Sequence, residues 1–291
     1  GILIPPSIML IILGDQMQVS VGDLFLGAIW PGLLLAGLYV LYVTALAIFA
    51  PERMPAPARV EKVSVKRVLV DLARDLLAPM LLILSVLGTI IAGIATPTES
   101  AAIGAAGAVL LALFSGGLTR RVLASALVDT LRTTAMIVFV MIGASIFSVV
   151  FRRLGGDGMI ADFFHFGGAS PYLTLFAIMG VIFLLGFFLD WVEITLVVVP
   201  IVAPIVAGLD FGMPREQVMI WFAIALAVNL QTSFLTPPFG YALFYLRGVA
   251  PDVPISVIYR GIIPFVIIQI IALLLVIFVP AISLSLPMSM R

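Results

Sequence analysis

The sequence predicts an all-α membrane protein: a polytopic helical bundle with inverted repeats, broken helices and a re-entrant hairpin. Three observations carry that reading. First, 63% of the 291 residues are hydrophobic and only 10% are charged, whereas a soluble domain needs roughly 25% charged residues to cover its surface. A lipid bilayer must therefore solvate most of the chain. Second, apolar runs long enough to cross a bilayer alternate with short polar connections. Third, a double-proline segment occurs twice, at corresponding places.

The composition also excludes whole classes of function. Net charge is zero, so there is no basic footprint for nucleic acid. The chain has no cysteine and one histidine, His165. Disulfides, thiolate nucleophiles and transition-metal sites built on thiolate or imidazole clusters are thereby excluded. H-E-x-x-H, G-x-S-x-G, P-loop and Rossmann patterns are absent, so an enzyme is not expected and any pumping must draw on an ion gradient. The chain opens Gly1-Ile2-Leu3-Ile4, already hydrophobic and without a signal-peptide pattern, which reads as a start inside a membrane segment.

Residues 1–13 form a short apolar run containing Pro5-Pro6-Ser7, and residues 24–49 a full span with Pro31 inside it. A span needs about 20 apolar residues. Residues 51–75 carry Arg53, Arg59, Lys62, Lys66, Arg67 and Arg74 against four acids. Residues 63–77 alternate apolar and charged positions at helical spacing, which fits either an interfacial helix or a solvated linker helix. An apolar run, 76–95, is interrupted at Thr96-Pro97-Thr98-Glu99-Ser100, and another, 101–114, follows. In the latter Gly104 and Gly107 permit close helix packing. Arg120, Arg121 and Arg132 mark a second basic loop with an amphipathic helix, and residues 133–151 span. A Gly-rich connection, 152–168, leads to an apolar hairpin at about 171–206, broken at Asp190-Trp191-Val192-Glu193 and by Pro200 and Pro204. Residues 218–246 form a helix broken at 232–240, and 261–285 the last span. The basic loops 51–75 and 119–132 belong on the cytoplasmic side, which places 14–22, 152–168 and 286–291 outside.

Pro5-Pro6 and Pro237-Pro238 are followed by matching span prolines, Pro31 and Pro264. Pro6 to Pro238 is 232 residues and Pro31 to Pro264 is 233. With the loop orientation above, the two copies run in opposite directions. Inverted repeats with Pro-interrupted segments point to a secondary transporter and its binding site. On this reading residues 1–50 end a first repeat that lacks roughly 150 upstream residues. Residues 51–75 are a cytoplasmic loop, and 76–291 are the second repeat.

Proline removes an N–H donor and frees a carbonyl one turn back. Such backbone survives in lipid only where it is buried in protein or lines a cavity. In the segment 229–240, Asn229, Thr232, Ser233, Thr236, Pro237 and Gly240 offer hydroxyls, freed carbonyls and a half-helix start. These suit a hard monovalent cation, with a plain proline kink eased by hydroxyls as the bland alternative. Intramembrane acids cost about 2.5–3.5 kcal/mol on insertion scales. Three fall in or near spans: Glu99, Asp190 and Glu193. Glu99, with Thr98 as cap, fits helix capping as well as support of an ion site. Asp190 and Glu193 share one helical face and line the cavity or tie the hairpin to its neighbours. Trp30, Trp191 and Trp221 read as interface or packing aromatics.

Five segments occur in this order: Gly1-Ile2-Leu3-Ile4-Pro5-Pro6-Ser7; Ser20-Val21-Gly22-Asp23-Leu24-Phe25 with Pro31-Gly32; Thr96-Pro97-Thr98-Glu99-Ser100-Ala101-Ala102; Phe188-Leu189-Asp190 with Pro200 and Pro204; and Thr236-Pro237-Pro238-Phe239-Gly240. Together they resemble the large membrane subunit of tripartite ATP-independent periplasmic (TRAP) transporters, the DctM-like permeases, over essentially the whole chain. The resemblance implies a sodium-driven, elevator-type importer of an organic acid in a bacterial or archaeal inner membrane. It implies two partners, a periplasmic solute-binding protein and a small four-helix membrane subunit. It places sodium, and no transition metal or other cofactor, at the breaks 4–7 and 232–240. Ser7, Thr232, Ser233, Thr236, Pro237 and Gly240 are then ion-binding, supported by Pro5, Pro6, Thr96, Thr98, Glu99, Asn229 and the hairpin tip from Gly186 to Asp190. A stand-alone dicarboxylate or citrate carrier and a non-transporting membrane scaffold are the competing readings.

Overall fold

The computed structural model describes residues 3–53, 64–156, 158–160, 170–237, 240–249 and 253–290. Among the described residues all regular structure is helical. In chain order the helices are α1 (Ile8–Met17), α2 (Val21–Phe49), α3 (Val65–Ile91), α4 (Pro97–Phe114) and α5 (Arg120–Arg153). They continue with α6 (Pro171–Leu185), α7 (Trp191–Ala207, with a π-helical turn Ile194–Val198), α8 (Arg215–Leu230), α9 (Tyr241–Val249), α10 (Ile255–Phe278) and α11 (Ala281–Ser289). Among the described residues five helices, α2, α4, α5, α10 and α8 with its 3-10 extension, are long and apolar enough to cross a membrane.

Several boundaries differ from the sequence expectation. The amphipathic stretch 63–77 is not a separate interfacial helix; from Val65 it continues into the apolar run as one helix that passes through Pro79. Likewise 119–132 and 133–151 are one 34-residue helix, α5. An amphipathic pattern that turns apolar changes the surroundings of a helix, not its hydrogen bonds, so no break is required. The last span ends at Phe278, before Pro280, and a short helix, α11, follows. The loop residues 54–63 and 161–169, including His165, and the residues Pro238 and Phe239 lie outside the described residues.

Two compact units result: Gly1–Ala36 with Thr134–Arg291, and Gly37–Thr133. Their limits fall inside α2 and α5. In the second unit α3 and α4 form an antiparallel pair. Val86 faces Gly104, Leu82 faces Gly107, and Thr89 Oγ1 meets Ser100 Oγ at 3.0 Å. A Cβ at Gly104 would lie 3.1 Å from Val86, which is the close approach the small residues were expected to allow.

The first unit is built around α8. Every residue from Ile220 to Leu230 is buried, and α1, α6, α7, α10 and α11 all contact this helix. A helix apolar all round belongs in a core rather than at a surface. Trp221 is fully buried, with its indole N–H donating to Val276 O at 2.8 Å, and stacks edge-on with Phe211 and Tyr172. Trp30, by contrast, is 48% exposed.

Candidate functional site: a hairpin tip on a broken helix

α6 and α7 are the expected hairpin. Ser170 caps α6, accepting from Leu173 N at 3.3 Å. The turn between the arms runs from Gly186 to Asp190, where the sequence placed it. Asp190 is the N-cap of α7, its Oδ1 accepting from Trp191 N at 2.7 Å. Glu193 lies one turn on and has a buried carboxylate oxygen, Oε2, without a hydrogen bond among the described residues.

α8 leaves the α-helical path at Gln231. A 3-10 turn, Gln231–Phe234, follows, and Pro237 stands between it and α9. Asn229 (1% exposed), Thr232, Ser233 and Thr236 are buried here. The hydroxyls turn back onto the helix they end. Thr232 Oγ1 donates to Asn229 O and Ser233 Oγ to Leu230 O, each at 2.6 Å, and Thr236 Oγ1 donates to Thr232 O at 2.9 Å. The following helix begins at Tyr241, so Thr236 is not its N-cap. The carbonyls expected to be free just upstream are occupied in this way, while each hydroxyl oxygen keeps lone pairs for another donor or a cation. Pro237 carries no N–H, so it cannot donate to Ser233 O as a continued helix would require. Phe234 O and Thr236 O each lie 3.0 Å from where a Cβ on Gly240 would be.

The tip meets the break. A Cβ built on Gly186 would lie 3.2 Å from Ser233 Cβ. Asn229 ties the same two elements a turn deeper, its Nδ2 donating to Met179 O of α6 at 2.9 Å. Among the described residues its Oδ1 is buried and without a hydrogen bond, as are Gln231 Nε2 and Gln269 Oε1. Buried polar atoms without a partner are uncommon and call for an explanation such as an ion or water. Gln231 and Gln269 were not singled out from sequence.

The first double proline stands just before α1. Ser7, 3% exposed, is the N-cap of α1, and its Oγ accepts from Leu10 N at 3.3 Å. Pro5 is buried, and Ile4 fills the space beside Gly32. α1 ends with Met17 beside Arg215 and Met219 at the start of α8, so its Ser7 end points towards the broken end of α8. Arg152 and Arg215 also line the cavity of about 450 Å³ at this opposite end, where Asp15 offsets part of their charge. Thr96, Thr98 and Glu99 belong to the other compact unit. There Thr96, not Thr98, is the cap: Thr96 Oγ1 accepts from Glu99 N at 3.3 Å, and Glu99 Oε2 accepts from Thr96 N at 2.8 Å. Pro97 at the first helical position fixes Thr96 as the cap.

The comparison with known proteins is specific. The family model described as "Tripartite ATP-independent periplasmic transporter, DctM component" matches residues 1–282, and the chain belongs to that family. It is 32% identical over 288 residues to the C4-dicarboxylate TRAP transporter large permease protein DctM of Pseudomonas aeruginosa, covering 99% of this chain and 64% of that one. It is 30% identical over 297 residues to the sialic acid TRAP transporter large permease protein SiaM of Vibrio cholerae, covering 99% and 64%. It is 26% identical over 281 residues to the 2,3-diketo-L-gulonate TRAP transporter large permease protein YiaN of Escherichia coli, covering 96% and 63%. The chain thus spans a little under two thirds of the length of these relatives.

Proposed function

We propose that this chain supplies the greater part of the large permease subunit of a sodium-coupled, binding-protein-dependent importer of an organic acid in a bacterial inner membrane. The observation that carries the reading is the contact between the hairpin tip at Gly186 and the broken helix at Ser233. It gathers buried hydroxyls, carbonyls and an unpartnered amide oxygen around one turn. Oxygen donors of this kind suit sodium, and irregular backbone at membrane depth is tolerated where it lines such a site. Movement of the first unit as an elevator, carrying this turn across the membrane, fits its self-contained core. The relatives named for C4-dicarboxylates, sialic acid and 2,3-diketo-L-gulonate support an organic acid as cargo.

Inverted-repeat architecture is supported by helix boundaries. α1 and α9 begin 233 residues apart, at Ile8 and Tyr241, and α2 and α10 begin 234 apart, at Val21 and Ile255. Residues 1–50 would then close the first repeat and 76–291 form the second. A small four-helix membrane subunit and a periplasmic solute-binding protein complete the assembly. The test is uptake of labelled organic acids by proteoliposomes holding the complete permease and small subunit, with binding protein outside. Uptake requiring both a sodium gradient and the binding protein is expected. Uptake that needs no binding protein would favour a stand-alone carrier, and no uptake of any acid under a sodium gradient would favour a scaffold.

A further inference from the structure

Where α8 ends, hydroxyls of the same segment donate to Asn229 O, Leu230 O and Thr232 O. In a continued α-helix Leu235 N would donate to Gln231 O; here it donates to Thr232 O at 3.0 Å, in a 3-10 turn. Gln231 O also takes a donor from another helix. Gln269 Nε2, on α10, donates to Gln231 O at 3.2 Å across 38 residues of sequence. Gln269 is 2% exposed. The other buried residues of α10 are Ile258, Ile262, Ala272, Leu273, Val276 and Ile277, so it is the one polar side chain among them.

A buried amide in such a helix is costly unless both its ends are bonded. Gln269 meets that cost only halfway: among the described residues Oε1 is buried and has no partner, and neither has Gln231 Nε2. Leucine or methionine would fill the place without an orphaned atom. The bond to Gln231 O is the interaction that an apolar residue could not supply, and it holds the first residue of the turn that carries Thr232 and Ser233.

We infer that Gln269 is a positioning residue for the cation site: by holding the Gln231 carbonyl it keeps the 231–236 turn in the shape that presents its oxygens to sodium. This rests on the sodium reading of the turn given above. Ligand oxygens bind well only when their geometry is set beforehand by supporting contacts. Removing the support should therefore weaken ion affinity without touching an ion ligand.

The experiment is thermal unfolding of the complete permease, purified in detergent, over a sodium series at constant ionic strength, with potassium as replacement. A ligand that binds the folded state raises Tm once its concentration passes its dissociation constant, and Tm then climbs with the logarithm of concentration, so the sodium concentration at which the rise sets in reports sodium affinity in the absence of substrate. Tm without sodium separately reports the structural cost of a substitution. Gln269→Met, close in shape and without an amide, should move that onset up about three- to tenfold, the worth of one hydrogen bond. Gln269→Leu should do the same. Gln269→Asn, which keeps the amide one methylene shorter, should fall between, and it serves if the apolar variants do not fold. An unchanged onset in the folded variants, whatever their Tm without sodium, overturns the inference alone. A wild type that sodium stabilises no more than potassium overturns the sodium reading of the turn and this inference with it.

Discussion

Gly186 and Ser233 approach so closely that a Cβ on the glycine would lie 3.2 Å from that of the serine. The glycine is not there for its backbone, because its φ of −62° is open to any residue. It is there for space: Phe183 O and Ile182 O lie 3.3 and 3.5 Å from the same point. Gly186→Ala should therefore be tolerated at a cost of about 1 kcal/mol, and Gly186→Val should cost about 1–3 kcal/mol through overpacking. Ser233→Gly should restore room, so the Gly186→Ala/Ser233→Gly pair should lose less than the two single changes summed. Urea unfolding in detergent across the double-mutant cycle measures this coupling. Additive losses would mean that the tip and the break do not touch.

What the sequence made legible, and what it did not, divides along local and long-range lines. The end of α8 before Pro237 and the turn at 186–190 were readable because Pro, Gly and Asp mark chain interruptions locally. The cap of α4 was readable too, since Thr96 and Glu99 have the spacing of a capping box; naming Thr98 ignored that Pro97 belongs inside the helix. The joining of 63–77 to the next run was missed because periodicity reports which face is wet, not where hydrogen bonding stops. Gln269 could not have been found, since nothing local connects it to a turn 38 residues earlier. Its one available signal was a lone amide within an otherwise apolar span.

The capping box separates two readings of Glu99. If Thr96 and Glu99 only close the start of α4, Thr96→Ala should cost about 0.5–2 kcal/mol of stability, and Glu99→Gln less, because a glutamine can still bond the Thr96 N–H. Neither should alter the sodium dependence of uptake. A raised sodium requirement in Glu99→Gln, at unchanged Tm, would instead make Glu99 a support of an ion site.

Orientation is testable because the chain contains no cysteine. Lys62→Cys should resist a membrane-impermeant thiol reagent applied to intact spheroplasts and react once the membrane is opened. Gln18→Cys, on the exposed residue that ends α1, should react from outside. The positive-inside rule places the basic loops in the cytoplasm and the 14–22 connection in the periplasm. Labelling of position 62 from outside would sink this topology.

The hydroxyls of the broken turn carry the last prediction. Thr232 Oγ1 is engaged as a donor to Asn229 O, which leaves its oxygen lone pairs directed away from that bond and available to a cation. Thr236 Oγ1 donates to Thr232 O, one turn further along and nearer the carbonyls around Gly240. Thr232→Ala removes one oxygen and little packing, so it should raise the sodium concentration for half-maximal uptake about three- to tenfold, by the worth of one hydrogen-bond-strength ligand. Thr236→Ala should act in the same direction and less, because its loss also frees Thr232 O, which can take over as a ligand. The measurement is substrate uptake into proteoliposomes over a sodium series, with the small subunit and binding protein supplied and Tm followed in parallel. If both variants and the Thr232→Ala/Thr236→Ala double variant keep the wild-type sodium dependence while losing stability, the hydroxyls serve only to satisfy the bent backbone. The turn would then be a proline kink and not a cation site.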